Sequence, residues 1–371
     1  MNHLWEEITE QEKVKKILQN IYQSRRVPHA FLFYGLEGVG KFFTALQFAK
    51  LLNTQNNDLH SENIQKKISQ LQEPYLKLIL PLPRGKGESG EDTSTEKLSK
   101  DVIEGIQHEI QEKISNPYYQ IKIADANTIK INSIREIKKF VVTSTDEIPF
   151  RFVIISDAHL MNDQSQNALL KNLEEPPEDI IFILITSRKT DLLPTIQSRC
   201  WEIDFEPLSE KAVTEILIKY FNNDKATAEK VANYSEGSII NAIEFIQQDF
   251  KYILDKTISI LRYSLGKRYN LAYQEILNFI KESNEKSVKV LTQMIKYWLN
   301  DTVRNKNSIN SLYFKDYTDT IEKFNTRYTQ TDVLKIFKVL DNLESYQNLN
   351  INLNVACLNL IFEIASLSIR T

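Results

Sequence analysis

The stretch "AFLFYGLEGVGKFFTALQFAKLL", from Ala30 to Leu52, joins an apolar run, a glycine-rich turn and an apolar segment of helical character. Strand, glycine loop and helix in that order are the context a phosphate-binding loop requires, because the turn aims backbone N–H groups and a helix N-terminus at an oxyanion. The stretch commits the chain to an α/β domain. Gly35, Gly40 and Lys41 satisfy G-x-x-x-x-G-K, but Phe42 stands where such a loop carries the Ser or Thr whose hydroxyl coordinates magnesium. With Gly38 the glycines fall as G-x-x-G-x-G, so the dinucleotide pattern G-x-G-x-x-G is not met. Gly35, Gly38, Gly40 and Lys41 are the candidate nucleotide-loop residues.

The rest of the first 209 residues supports the same class. "QEKVKKILQNIYQS" (11–24) puts Val14, Ile17, Leu18 and Ile21 on one helical face. "FRFVIIS" (150–156) and "IIFILIT" (180–186) read as buried parallel strands with the helix "QSQNALLKNLEE" between them. This alternation predicts a βαβ sheet with right-handed crossovers. "INSIREIKKFVVTS" (131–144) reads as a helix opened by Asn132 or Ser133, with Glu136 near the capping-box position. Residues 53–115 are polar, "RGKGESGEDTSTEKLSK" (84–100) has the composition of a mobile loop, and structure is expected to resume at "YYQIKIAD" (118–125).

After "CWEIDFEPLS" (200–209) the strand signals stop. "EKAVTEILIKYF", "ATAEKVANYS" and "EGSIINAIEFI" are short helical stretches, and from 250 onward nearly everything is amphipathic helix. In "SVKVLTQMIKYWLNDTV", Val288, Leu291, Ile295, Trp298, Leu299 and Val303 recur at spacings of three and four.

Composition removes several classes. At 371 residues the chain exceeds one ordinary core. No aliphatic run approaches membrane-spanning length, the N-terminus lacks a secretory pattern, and a cytoplasmic location is expected. A net charge of −3 argues against a protein coated in nucleic acid. Cys200 and Cys357 supply neither a disulfide framework nor a zinc site, and no metal is expected in this chain. Cys200 reads as a small buried residue, and His29 and His159 as packing or hydrogen-bonding residues.

Several stretches together carry a resemblance. "VPHAFLFYGLEGVGK", "IREIKKF", "NALLKNLEEPPEDIIFILIT" and "LLPTIQSRC" resemble the clamp-loader branch of the AAA+ ATPases, and within it most of all the delta-prime type of subunit of bacterial DNA polymerase III. The match covers roughly residues 5–245 by motif and the remainder by helical character. It implies a P-loop (RecA-like/AAA+) domain over 1–207, a small helical lid domain over 208–248 and an all-α oligomerisation collar over 249–371. It further implies a pentameric ring with motor (gamma/tau) and delta subunits that opens the sliding clamp and places it on primer-template DNA, with no membrane involved.

The family's motor sites hold ATP through groups that can be sought residue by residue. In "FVIISDAH", Ser156 takes the place of the magnesium-binding Asp and Asp157 that of the water-activating Glu. In "EGSIINA", Ile240 takes the place of a phosphate-contacting arginine. The resemblance therefore implies an empty site here, with ATP and magnesium at a neighbouring motor subunit. Arg199, in "SRC", matches the arginine that reaches into a neighbour's site and is the one residue expected to be catalytic, in trans; an ordinary sheet-end arginine is the alternative. The expected function is a non-hydrolysing delta-prime-type subunit. The alternatives are an ATP-hydrolysing gamma/tau-type motor subunit, with a water-bridged metal beside Phe42, and an AAA+-derived adaptor outside replication. One departure is clear: relatives insert a four-cysteine zinc module after the loop helix, whereas residues 53–115 contain no cysteine and His60 and His108 stand alone.

Overall fold

The computed structural model describes residues 2–54, 59–142, 147–247, 249–282, 287–309, 312–328, 336–341 and 353–367. Residues 1–242 form one compact unit and residues 243–371 a second.

The first unit is built on five strands: β1 (Ala30–Gly35), β2 (Leu76–Ile79), β3 (Arg151–Ile155), β4 (Ile180–Thr186) and β5 (Trp201–Phe205). Their order is β2-β3-β4-β1-β5, and every pairing is parallel. Strands β3 and β4 are buried at every position. Helices cover both faces of a parallel sheet, so such strands read as unbroken runs of Ile, Val, Leu and Phe. On one face Leu32, Val153, Phe182 and Leu184 pack with Ile134, Ile137, Leu169 and Leu173. On the other, Phe31 meets Phe48 edge to face at 5.5 Å. β5 is an edge strand and leaves Trp201 54% exposed.

The helices of this unit, in chain order, are α1 (Asn2–Glu6), α2 (Glu12–Ser24), α3 (Lys41–Asn53), α4 (Leu59–Ser69), α5 (Lys100–Ser115), α6 (Ile131–Val142), α7 (Asp163–Glu174), α8 (Pro194–Gln197), α9 (Glu210–Phe221), α10 (Lys225–Ala232) and α11 (Ile239–Gln247), which begins here and runs past residue 242. The helix starts have local causes. Asn162 accepts from Ser165 N at 2.9 Å to open α7, Ser209 from Ala212 N at 3.2 Å to open α9, and Asp224 from Thr227 N at 3.0 Å to open α10.

Three readings between residues 53 and 144 change. Residues 53–115 hold α4, β2 and α5, so the fifth strand comes from "LKLI", and 118–125 contains neither helix nor strand. Helix α6 begins at Ile131, one residue before the expected caps, and its described part ends at Val142; residues 143 and 144 lie outside the described set. The Asn132 amide instead donates to Glu88 and to the Ser89 carbonyl, and Glu136 accepts from Ser94 N at 2.6 Å. Those bonds, with Lys130 on Glu88 at 2.7 Å, tie the 84–100 segment to the domain. Composition registered its polarity but not these partners.

The second unit contains α12 (Phe250–Leu265), α13 (Tyr269–Glu282), α14 (Ser287–Lys306), α15 (Thr318–Arg327) and a last helix, Leu353–Ser366; no strand occurs among its described residues. In α14, Leu291, Ile295, Trp298 and Leu299 are buried as their spacing predicts, whereas Val303 is 42% exposed. The Val288 side chain lies outside the described residues. Asp301, buried in the same helix, accepts from Tyr313 N and Phe314 N and pins the following loop. Among the described residues no helix is long and apolar enough to cross a membrane.

Candidate functional site

β1 delivers the glycine loop and α3 carries it away. Gly35 has φ +141°, and a Cβ there would lie 2.4 Å from the Phe205 carbonyl oxygen, so strand β5 presses directly on the turn. Gly38 has φ +74°, and a Cβ there would lie 2.8 Å from the Ile240 backbone nitrogen. Both positions demand glycine for conformation and for space. The Ser238 hydroxyl donates to the Glu37 carbonyl at 2.8 Å and holds the start of α11 against the loop.

The loop encloses a cavity of about 90 Å³, against roughly 300–1,000 Å³ for ordinary ligand pockets. Phe42, Ser156 and Ile240, far apart in sequence, all line it, together with Gly38, Gly40 and Lys41. More of the lining comes from the end of α5 and the turn after it, Lys113, Tyr118 and Gln120 among them. Tyr118 packs on Phe43 at 6.1 Å and Tyr220 at 5.2 Å, and the Asn116 amide donates to the Tyr220 carbonyl at 2.9 Å.

Most polar groups of the pocket are engaged, with one another or with backbone carbonyls, while the Gln120 amide oxygen is buried without a partner among the described residues. Lys41 donates from Nζ to the Gly35 carbonyl at 2.7 Å and to the Leu36 carbonyl. Lys113 donates to the Pro117 and Tyr119 carbonyls at 2.9 and 2.6 Å, and its ammonium sits 4.6 Å from the centre of the Phe42 ring. Glu37 accepts from Ser187 and Gln120, and the Ser156 hydroxyl donates to Asp157 at 3.4 Å. Burial lowers the Lys41 pKa to about 8, although Glu37 and Asp157 oppose the shift. Burial lowers Lys113 further, to about 7, with Lys41 adding to the shift. The Asp157 carboxyl is raised, first by burial and then by Glu37. Two lysines and two carboxylates thus balance inside a small, poorly solvated space.

His159 donates or accepts through Nδ1 at 3.0 Å from Thr186, and burial brings its pKa down to about 4, so it is neutral at pH 7. His29 bonds the Leu173 carbonyl. Cys200 is half-buried, and burial pushes its thiol up to about 12; a thiol so rarely ionised is a poor nucleophile.

Arg199 lies between α8 and β5. Its Nη1 donates to the Thr195 carbonyl at 3.0 Å, its Nη2 pairs with Glu174 at 2.8 Å, and its side chain remains 35% exposed. It is not in the loop pocket. β1 and β5 run parallel with Phe31 opposite Trp201 and Gly35 opposite Phe205. Arg199 precedes β5 and the loop follows β1, so at about 3.3 Å per residue roughly 13 Å of strand separates them. The guanidinium stands at the opposite end of the sheet from the chain's own loop.

A family model described as DNA polymerase III, delta subunit, matches residues 10–209, more than half of the chain. The chain belongs to this clamp-loader family. Among similar proteins, the DNA polymerase III subunit delta' of Bacillus subtilis is 27% identical over 361 residues, covering 95% of this chain and 94% of its own. The subunit gamma of Buchnera aphidicola is 23% identical, covering 91% of this chain and 88% of its own. The Bacillus subtilis subunit tau is 25% identical over 67% of this chain, which spans only 38% of that protein's length. Among solved structures, a gamma-subunit-related protein of Thermotoga maritima aligns with a TM-score of 0.42 at 15% identity, covering 95% of this chain and 99% of its own.

Within this clamp-loader fold the structure brings Gly35, Gly38, Gly40 and Lys41 together with Phe42, Ser156 and Ile240, and leaves Arg199 elsewhere. Lys113, Tyr118, Glu37 and Gln120 were missed by motif reading. For Lys113 a signal exists: Ile103, Ile106, Ile110 and Ile114 recur at helical spacing and mark α5. Tyr118 and Gln120 belong to an irregular turn, where no periodicity could have pointed to them.

Proposed function

We propose that the chain is the non-hydrolysing, delta-prime-type subunit of the DNA polymerase III clamp loader. It takes a fixed place in a pentameric ring with motor (gamma/tau) and delta subunits, which together open the sliding clamp and set it on primer-template DNA. In this reading residues 1–207 are the P-loop domain, 208–248 the lid and 249–371 the collar that joins the ring. The chain's own site takes no nucleotide, and ATP and magnesium act at a neighbouring motor subunit.

One observation carries the reading: Phe42, Ser156 and Ile240 converge on a single small cavity. Phosphoryl transfer depends on positioned metal and charge far more than on covalent chemistry by the protein. At this cavity an aromatic ring replaces the metal-binding hydroxyl, the Ser156 hydroxyl is spent on Asp157, and Ile240 brings no charge. Lys41 is turned onto carbonyls of its own loop. A magnesium-bound nucleotide does not fit these residues. Arg199 is the counterpart: a third exposed, paired with Glu174, and at the far end of the sheet from its own loop, where in this reading it serves a neighbouring subunit.

The motor reading draws on the retained loop glycines and on similarity to gamma and tau. It requires the cavity to open and a water to bridge the metal beside Phe42. Calorimetric titration of the isolated chain with Mg-ATP separates the two. The expected result is no binding at micromolar protein; a one-to-one isotherm accompanied by turnover reverses the assignment to a motor subunit.

A further inference from the structure

Within the helical unit, α12, α14 and α15 leave a groove of about 400 Å³, inside the size range of sites that take a ligand side chain or a small molecule. One wall is a stripe of α12, with Ile258, Leu261 and Leu265 at helical spacing; the other is Phe324 of α15 and Tyr328, which follows the helix. Trp298 of α14 completes the lining. Ile258, Leu261, Trp298 and Phe324 are each less than 5% exposed, and Trp298 meets Phe324 edge to face at 4.8 Å.

Two features separate this groove from a mere packing fault. The first is charge. Arg262, Lys323 and Arg327 are exposed and also line it, whereas among the described residues no carboxylate does. Arg262 bonds the Thr320 hydroxyl at 3.0 Å across the groove. Arg327 and Lys323 lie on one face of α15, four residues apart. In a chain of net charge −3, three cations around an apolar floor are a local excess. The second is a missing acceptor. The Trp298 indole N–H is buried and, among the described residues, has no hydrogen-bond partner, a state that structures rarely leave uncompensated.

We propose that this groove is a docking site for an acidic peptide segment of a partner protein, one that seats an aromatic or aliphatic side chain on Trp298 and Phe324 and sets carboxylates against Arg262, Lys323 and Arg327. The apolar floor supplies the anchoring contact and the three cations bind the carboxylates; the indole N–H, fully buried here, gains an acceptor from the peptide only if docking uncovers it. A nucleic-acid backbone fits less well: it offers charge to the rim but nothing to bury on the floor. The inference does not depend on whether the chain binds or hydrolyses ATP.

The test uses the full chain and a fluorescein-labelled 12-residue peptide of Asp and Glu carrying one Leu and one Phe four positions apart. Anisotropy at about 0.1 M salt is compared with three controls: both apolar residues changed to Ala, all acids changed to Lys, and a 20-nucleotide oligothymidine. Saturable binding is expected, at least tenfold tighter than for the Ala or Lys peptides. The double change Lys323→Glu with Arg327→Glu, both exposed, should leave the thermal transition in place and weaken binding at least tenfold. Leu265→Asp should weaken it comparably, and Trp298→Phe by a few fold. No saturation up to millimolar chain overturns the proposal, as does affinity unchanged by the charge reversal. Equal binding of the oligothymidine, lost in the same double variant, overturns it in favour of a nucleic-acid surface.

Discussion

At the carboxyl end of β1, Lys41 is buried, its ammonium is held by carbonyls of its own loop, and burial lowers its pKa to about 8. At the amino end of β5, the Arg199 guanidinium is 35% exposed and held by one carboxylate, Glu174, and one carbonyl, Thr195. Both residue types serve phosphate chemistry, yet the fold folds one cation inward and presents the other outward. On the proposed reading, ligands lost around the inward cation place no constraint on a side chain that serves a neighbour, so a P-loop domain can lose the chemistry of one end of its sheet and keep that of the other.

The sharpest way to break this comparison is at Arg199. Arg199→Ala should leave folding and ring assembly intact but cut clamp- and DNA-stimulated ATP hydrolysis by the reconstituted loader. Trans-acting arginines are worth about 10³–10⁵ at the site they serve; total turnover falls less, because other sites in the ring continue. Arg199→Lys should restore little, since an ammonium lacks the planar fork. Wild-type steady-state turnover by the alanine variant, at confirmed stoichiometry, would remove the outward half of the contrast.

The inward half is tested by stability. Gly38→Ala combines φ +74° with a Cβ 2.8 Å from the Ile240 backbone nitrogen. A strained conformation costs about 1–3 kcal/mol by itself, and the clash places the expected loss near the top of that range, read as a lower urea midpoint. If the loop were a fortuitous turn free to relax, the midpoint would hardly move.

A pH-dependent effect follows from the buried lysines, smaller for any single substitution. Lys113 and Lys41 have folded pKa values of about 7 and about 8, below their ordinary 10.5. Between those values the unfolded chain binds more protons, so stability rises with pH, by up to about 1.4 kcal/mol per pH unit per lysine. Asp157, raised from its ordinary value, acts on the acid side with the opposite sign, and Tyr118 and Tyr119, raised to about 12, act only above pH 10. Cys200 and Cys357, with thiols raised to about 12 and about 11, oppose the rise only as pH approaches 9, so urea unfolding at pH 7, 8 and 9 should show increasing stability. Lys113→Met should flatten the rise by about 1 kcal/mol per pH unit, and an unchanged slope would show the ammonium to be well solvated.

The smallest effect is expected at Glu174. Its pair with Arg199 is half-exposed, and such pairs contribute about 0–1 kcal/mol. Glu174→Gln should leave the unfolding midpoint within that margin, with any change in loader turnover confined to a few fold. A loss as large as that of Arg199→Ala would mean that Glu174 itself takes part in the site.

Motif and periodicity made β1, β3, β4 and β5 legible, along with the helices that carry the glycine loop and "LLKNLEE", because buried parallel strands and phosphate-loop glycines leave strong local signals. β2 was missed although "YLKLILPL" is an apolar run: only four of its residues form the edge strand, Pro81 cuts the run short, and the polar segments on either side dominated the reading of residues 53–115. The expected caps of α6 failed for a related reason. Asn132 and Glu136 have tertiary partners in the 84–100 segment, and a long-range hydrogen bond has no sequence spacing to betray it.

What this sequence determined by itself was residue type: Phe42 and Ile240 bring neither a metal ligand nor a charge, and Ser156 offers a neutral hydroxyl in place of a carboxylate. Tertiary structure decided where the remaining charges go. Only the packing of α5 and residues 116–120 over the loop places Lys113 against Phe42 and adds to the burial around Lys41. Only the parallel pairing of β1 with β5 sets Arg199 at the opposite end of the sheet. The physical reason is range: a side chain's chemistry is local to its residue, whereas burial, pKa and the direction a charge faces are set by neighbours that the chain brings together from more than seventy residues away.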